Sequence, residues 1–129
     1  MSSVFTKIIN KEIPAYVVAE NENYLAFLDV SPLQKGHTLV IPKKVTDFIF
    51  DLEDEELSGL MLFSKKVSKS IHASFDCARV GVSVIGLEVP HAHIHLIPIN
   101  KMEDMMFTNE RLNLSEEDFL EIQAKIVNQ

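Results

Sequence analysis

The stretch His91-Ala92-His93-Ile94-His95-Leu96-Ile97-Pro98-Ile99 decides how this chain is read. Apolar and imidazole side chains alternate along it, and alternation with a period of two belongs to a β-strand with one buried face. In such a strand Ala92, Ile94 and Leu96 face the core, while His91, His93 and His95 form a row on the opposite face. Just upstream, Ala78 to Ile85 carries a second strand signal, with Val80, Val82 and Val84 alternating against Gly81 and Ser83. The short connection Gly86 to Pro90 joins the two runs.

Outward from this pair, Glu53 to Ser74 places Leu57, Leu60, Met61, Ser64, Val67 and Ile71 at helical spacing with charges opposite, which predicts a long packing helix. His37 to Ile41 reads as a strand started by Gly36 and closed by Pro42, with His37, Leu39 and Ile41 on one face. Tyr16 to Ala19 and Tyr24 to Leu28, separated by the turn-forming Asn21-Glu22-Asn23, read as an antiparallel hairpin. Val4, Phe5, Ile8 and Ile9 predict a short N-terminal helix that stops before Pro14. Ser115 caps a C-terminal helix that begins with Glu116, Glu117 and Asp118 and turns Phe119, Ile122 and Ile126 inward. The Met-rich link from Lys101 to Leu114 shows no periodicity. Without regular β-α-β alternation, the order favours an α+β fold: a five-stranded antiparallel sheet with helices on one side.

At 129 residues the chain is expected to be one domain over 1–129. Nineteen acidic against 12 basic residues, a net charge of -7, argue against a phosphate-backbone footprint and so against nucleic-acid binding, while leaving room for a single nucleotide in a local pocket. The one cysteine, Cys77, cannot form an internal disulfide. Met1 to Asn10 interrupts its apolar residues with Lys7 and Asn10, too early for an export signal. No apolar run approaches the roughly 18 residues of a bilayer span. A cytoplasmic protein without membrane contact is expected.

Three aligned histidines admit three readings. The first is a polar sheet face of satisfied histidines. The second is a metal site, in which His37 would join. Three imidazoles of one strand converge poorly on one ion, because the outer α-carbons stand about 13 Å apart. The third is nucleophilic catalysis at phosphorus, in which one neutral imidazole attacks while its neighbours bind phosphoryl oxygens and protonate the leaving group.

The segment His91 to Ile97 resembles the His-φ-His-φ-His-φ-φ signature of the histidine triad (HIT) superfamily of nucleotide hydrolases and transferases. Phe5-x-x-Ile8-Ile9-x-Lys11-Glu12-Ile13-Pro14, Leu25 to Pro32 and Gly36 to Lys44 resemble its Hint branch in order and spacing. The resemblance implies the HIT-like fold and a homodimer whose two sheets join into one of ten strands. It makes His93 the nucleophile, His95 a phosphate donor and leaving-group acid, and His91 and His37 an orienting pair beside it. Asp29 is implied as the acceptor of both ribose hydroxyls. Phe5, Ile8, Ile13, Phe27, Leu28 and Val30 are implied as apolar walls around the purine, and Gly86 as a glycine beside the phosphate.

The chain departs from that pattern where Leu87 and Glu88 replace the usual polar residues after the glycine, in a loop several residues shorter. Ser3 and Thr6 stand where some bacterial relatives carry zinc-binding cysteines, so no structural zinc is expected, and no cofactor. The implied activity is hydrolysis of purine nucleoside 5'-phosphoramidates, or related nucleoside monophosphate derivatives, through a covalent nucleotidyl-histidine. The alternatives are a dinucleoside polyphosphate hydrolase and a nucleotide-binding interaction module with little turnover.

Overall fold

The computed structural model describes residues 3–129. Met1 and Ser2, the start of the segment read for an export signal and of the domain expected over 1–129, lie outside the described residues. Along the chain run α1 (Val4–Ile9), β1 (Val17–Glu20), β2 (Tyr24–Leu28), β3 (Thr38–Pro42), α2 (Asp54–Ser74), β4 (Arg79–Ser83), β5 (Ile94–Ile99) and α3 (Glu116–Val127). Short 3-10 turns at Ile49–Asp51 and Met102–Met105 precede α2 and follow β5. The strands form one antiparallel sheet in the order β1-β2-β3-β5-β4. None of the described helices is long and apolar enough to cross a membrane.

Local chemistry sets the element ends. Asn21 Oδ1 accepts the N–H groups of Asn23 and Tyr24 at 2.9 and 2.8 Å, closing the β1–β2 turn with a side chain in place of a backbone carbonyl. Ser115 and Asp118 cap α3 reciprocally, Ser115 Oγ accepting from Asp118 N and Asp118 Oδ2 from Ser115 N. At α1, Ser3 Oγ accepts from Thr6 N at 3.3 Å, so this pair forms a helix cap.

The sheet carries apolar clusters on both faces. On one, Ala26, Leu28, Val40, Ile94 and Leu96 pack against Leu60, Val67 and Ile71 of α2 and Phe119, Ile122 and Ile126 of α3. On the other, Leu25, Phe27, Leu39 and Ile41 pack against Phe5 of α1. The expectation of helices on one side therefore holds for α2 and α3 and is corrected for α1. Strict alternation along β2 and β3 gives both faces apolar side chains, and the second set needs its own cover. The face under α1 is the one toward which the histidine row points.

Gly36 takes φ +95°, and a Cβ there would meet the Phe75 ring at 2.6 Å. Only glycine fits this turn, which delivers His37 to the start of β3.

Candidate active site

The ladder between β3 and β5 runs from Val40 opposite Ile94 to Thr38 opposite Leu96, so β5 begins at Ile94, three residues later than the alternation predicts. The main chain before it is held elsewhere: His91 N–H donates to Val89 O at 2.8 Å, and Ala92 N–H donates to Thr46 O at 2.7 Å. The histidine row nevertheless persists. Ring centroids follow one another from Phe5 to His93 at 5.1 Å, from His93 to His95 at 5.0 Å and from His95 to His37 at 5.2 Å. All four histidines are buried.

The partners of these rings assign their tautomers. His93 Nδ1 lies 2.7 Å from His91 O, and a carbonyl only accepts, so Nδ1 holds the proton and Nε2 keeps a free lone pair. His91 Nε2 donates to Pro42 O at 2.7 Å, which anchors that carbonyl's residue, and His91 Nδ1 is buried without a hydrogen-bond partner among the described residues. Leu33 N–H donates to His37 Nδ1 at 3.0 Å, so in the neutral ring Nε2 carries the proton. That proton is donated to His95 Nδ1 at 3.0 Å, which leaves His95 with its own N–H on Nε2.

Burial favours the neutral form of His37, His91 and His95. Burial foremost, then the charges of His95 and Arg111, push His37 down to about 3. Burial, then His93 and Arg111, push His95 down to about 4. Burial also lowers His91, against the opposing effect of its bond to Pro42. Asp29 is raised above the usual carboxylate range, chiefly by desolvation. Its Oδ1 accepts Ser31 N–H at 2.8 Å, and its Oδ2 lies 3.5 Å from His37 Nε2.

Asp29, His37 and His95 bring three ligand-capable atoms within 4.8 Å of one another, the geometry a metal ion would use. The donor set does not fit one. With Leu33 N–H on Nδ1, His37 could ligate through Nε2 only as an imidazolate, and its Nε2 proton already serves His95.

A cavity of about 500 Å³ opens over the row. Of the residues singled out from sequence, Phe5, Asp29, Gly86, Leu87, Glu88, His93 and His95 line it. His37 and His91 lie behind this layer, His91 touching His93 through its carbonyl and His37 pairing with His95. Five of the six residues expected as purine walls are not among the lining residues. Phe27 is buried behind Phe5 at 5.4 Å, and Leu28 faces α2, because consecutive strand residues point to opposite faces. Val30 is exposed, and Ile8 and Ile13 line a separate groove beside β1. Gly86 takes φ +75°, which favours glycine whatever lies nearby.

Sequence reasoning missed Phe107 and Arg111, which come from the unread link and complete the cavity wall. Phe107 packs edge-on against His95 at 4.8 Å, and Arg111 Nη1 donates to Ser31 O at 2.7 Å. A lone aromatic and a lone arginine in a segment otherwise dominated by Met and acids were the only signal.

The arrangement is thus an imidazole tied back through Nδ1, with Nε2 unengaged, beside a second imidazole offering an N–H, above a pocket with a carboxylate. The HIT domain model matches residues 10–102. A HIT-like protein of Borreliella burgdorferi, itself uncharacterized, is 37% identical over 131 residues, covering 95% of this chain and 94% of the relative. The adenosine 5'-monophosphoramidase of Schizosaccharomyces pombe is 37% identical over 99 residues, covering 76% of this chain and 74% of that enzyme. The crystal structure of a Hit-like protein from Bartonella henselae superposes with a TM-score of 0.85 at 30% identity, covering 98% and 95% of the two chains. The α+β architecture, the histidine row and these likenesses together show that the chain belongs to the HIT domain family.

Proposed function

We propose that the protein hydrolyses purine nucleoside 5'-phosphoramidates in two displacements at phosphorus. The observation that carries this reading is the fixed tautomer of His93, whose Nδ1–H is held by the His91 carbonyl so that Nε2 offers its lone pair beside the cavity. In the first displacement His93 Nε2 bonds to phosphorus and the phosphorus–nitrogen bond breaks, the amine nitrogen taking a proton from solvent and leaving as the neutral amine while His95 Nε2–H donates to a phosphoryl oxygen. The nucleotidyl imidazolium then keeps its Nδ1–H on the His91 carbonyl. In the second, water bonds to phosphorus and loses a proton to solvent, the bond from phosphorus to His93 Nε2 breaks, and neutral His93 and the nucleoside monophosphate are released. Asp29, short of solvent and close to the row, is a two-oxygen acceptor suited to a vicinal diol.

AMP release from adenosine 5'-phosphoramidate tests this, with intact-mass detection of an adenylyl adduct. Wild type is expected to turn over and to show the adduct transiently, and His93→Ala to do neither. Turnover that survives in folded His93→Ala would overturn the mechanism.

The same reading includes a homodimer joined through the β4 edge. That edge is unpaired among the described residues and exposes Val82, with Val84 and Ile85 just beyond it. Sedimentation that finds only monomer at micromolar concentration removes this part of the proposal.

A further inference from the structure

Arg111 reaches the cavity with its guanidinium only partly engaged. Nη1 donates to Ser31 O at 2.7 Å, and the guanidinium carbon lies 5.5 Å from the centre of the Phe107 ring, which itself rests on His95. A guanidinium carries five N–H donors in a rigid fork. Ser31 takes one, and no other acceptor holds the remainder among the described residues.

The surroundings make this cation unusual. Arg111 is the one Lys or Arg among the described residues that line the cavity, whose other charged side chains are Asp29 and Glu88. The loop running over the same cavity offers a phosphate little: Leu87 is apolar and 88% exposed, and the carboxylate of Glu88 repels anions. A phosphate seated at His93 therefore finds no cationic side chain in that loop. The segment after β5 supplies a fork of them. Two anchors hold it at the cavity wall, the Ser31 carbonyl and the Phe107 face, so little side-chain freedom remains to be lost on binding.

We propose that Arg111 is the phosphate receptor of this cavity, its free N–H donors taking non-bridging oxygens of the substrate's 5'-phosphate in place of the missing loop contacts. The inference rests on the nucleotide reading above and assigns to the 101–114 segment a contact with substrate. An arginine here also differs from a lysine: its planar fork holds Ser31 with one N–H while presenting others to the phosphate at fixed angles.

Titration calorimetry of AMP and of adenosine tests the proposal without requiring turnover, because the ratio of the two affinities isolates the phosphate. Wild type is expected to bind AMP more tightly than adenosine. Arg111→Gln is expected to lose about 10- to 100-fold of AMP affinity while adenosine affinity stays within about twofold. Arg111→Met, which keeps an unbranched apolar side chain without the N–H donors, is expected to behave alike and decides the matter should the glutamine variant not fold. An unchanged AMP-to-adenosine ratio in these variants overturns the proposal and leaves the nucleotide reading standing. Equal loss for both ligands also overturns it, since it marks a purely structural arginine. Failure of wild type to bind either ligand overturns the nucleotide reading, and this inference with it.

Discussion

His37 has both ring nitrogens committed, one accepting from Leu33 N–H and the other donating to His95 Nδ1, and this is what orients His95. Neutral imidazole exists as two tautomers, and only the one with hydrogen on Nε2 presents a donor to the reacting group. His37 is thus a positioning residue that acts through His95. His37→Phe removes the donor at similar volume and is expected to lower kcat by about 10- to 100-fold, with AMP affinity little changed. His37→Gln keeps a donor and an acceptor on one amide and is expected to restore part of the loss. A measurement in which both variants lose the same activity, or in which AMP affinity falls in step with kcat, would count against this role. The histidines at 91, 93 and 95 were legible from sequence because a period of two is a strong signal. The pairing of His37 with His95 was not, since it depends on the turn at Gly36 and on the register that sets Leu39 opposite His95.

Among the elements, regular periodicity made the sheet and the long helices legible, and its absence hid the rest. The strands β1 to β5 and the helices α2 and α3 lie within a few residues of where alternation, helical spacing and caps put them. Placement of α1 failed, because an amphipathic helix of six residues says that it covers something without saying which face of the sheet. The start of β5 failed because alternation survives where the backbone leaves the ladder for the Thr46 and Val89 carbonyls. The segment from the Met102–Met105 turn to Leu114 lacks any period. Long-range contacts decide its position: Leu112 N–H donates to Pro32 O at 2.9 Å and Arg111 bonds Ser31. Loops placed by a rigid scaffold are where site residues gather, and this one covers His95 with Phe107. Phe107→Ala admits water to that ring. Burial is the largest cause of the low value near 4 for His95, so its pKa is expected to rise toward 6.5. Below its pKa His95 carries protons on both nitrogens and can no longer accept from His37. The acid limb of the kcat/KM profile that belongs to His95 is therefore expected to move to higher pH, and a limb that stays in place contradicts the cover role.

For the whole molecule, the same desolvation that prepares the site makes stability depend on pH. His37 and His95 stay neutral in the folded chain down to about 3 and about 4, whereas in the unfolded chain each takes a proton near 6.5. Between these values the unfolded state binds more protons, so stability rises with pH through this window and is lost as pH falls from 6.5 toward 4. Each histidine contributes a slope of up to about 1.4 kcal/mol per pH unit inside its window. Above pH 6.5 both states hold neutral rings and the contribution is flat. Of the acids, Asp29 acts above 3.8, at the lower end of this window, and Asp118 only below 3.8, in the opposite direction. Asp118, held low by its bonds to Ser115, adds stability above its own range, while Asp29, raised by burial, subtracts some there. Urea unfolding of the wild-type protein from pH 7.5 to 4.5 is expected to show a midpoint that is level at first and then falls steeply below about 6.5. In a folded His37→Phe, His95→Phe double variant the fall between 6.5 and 4.5 is expected to be shallower, because two proton-binding groups are gone from the unfolded state. Equal slopes in the two proteins would mean that these rings are charged in the native cavity. In that case the tautomer chain from Leu33 through His37 to His95 could not stand, since a doubly protonated ring has no nitrogen left to accept.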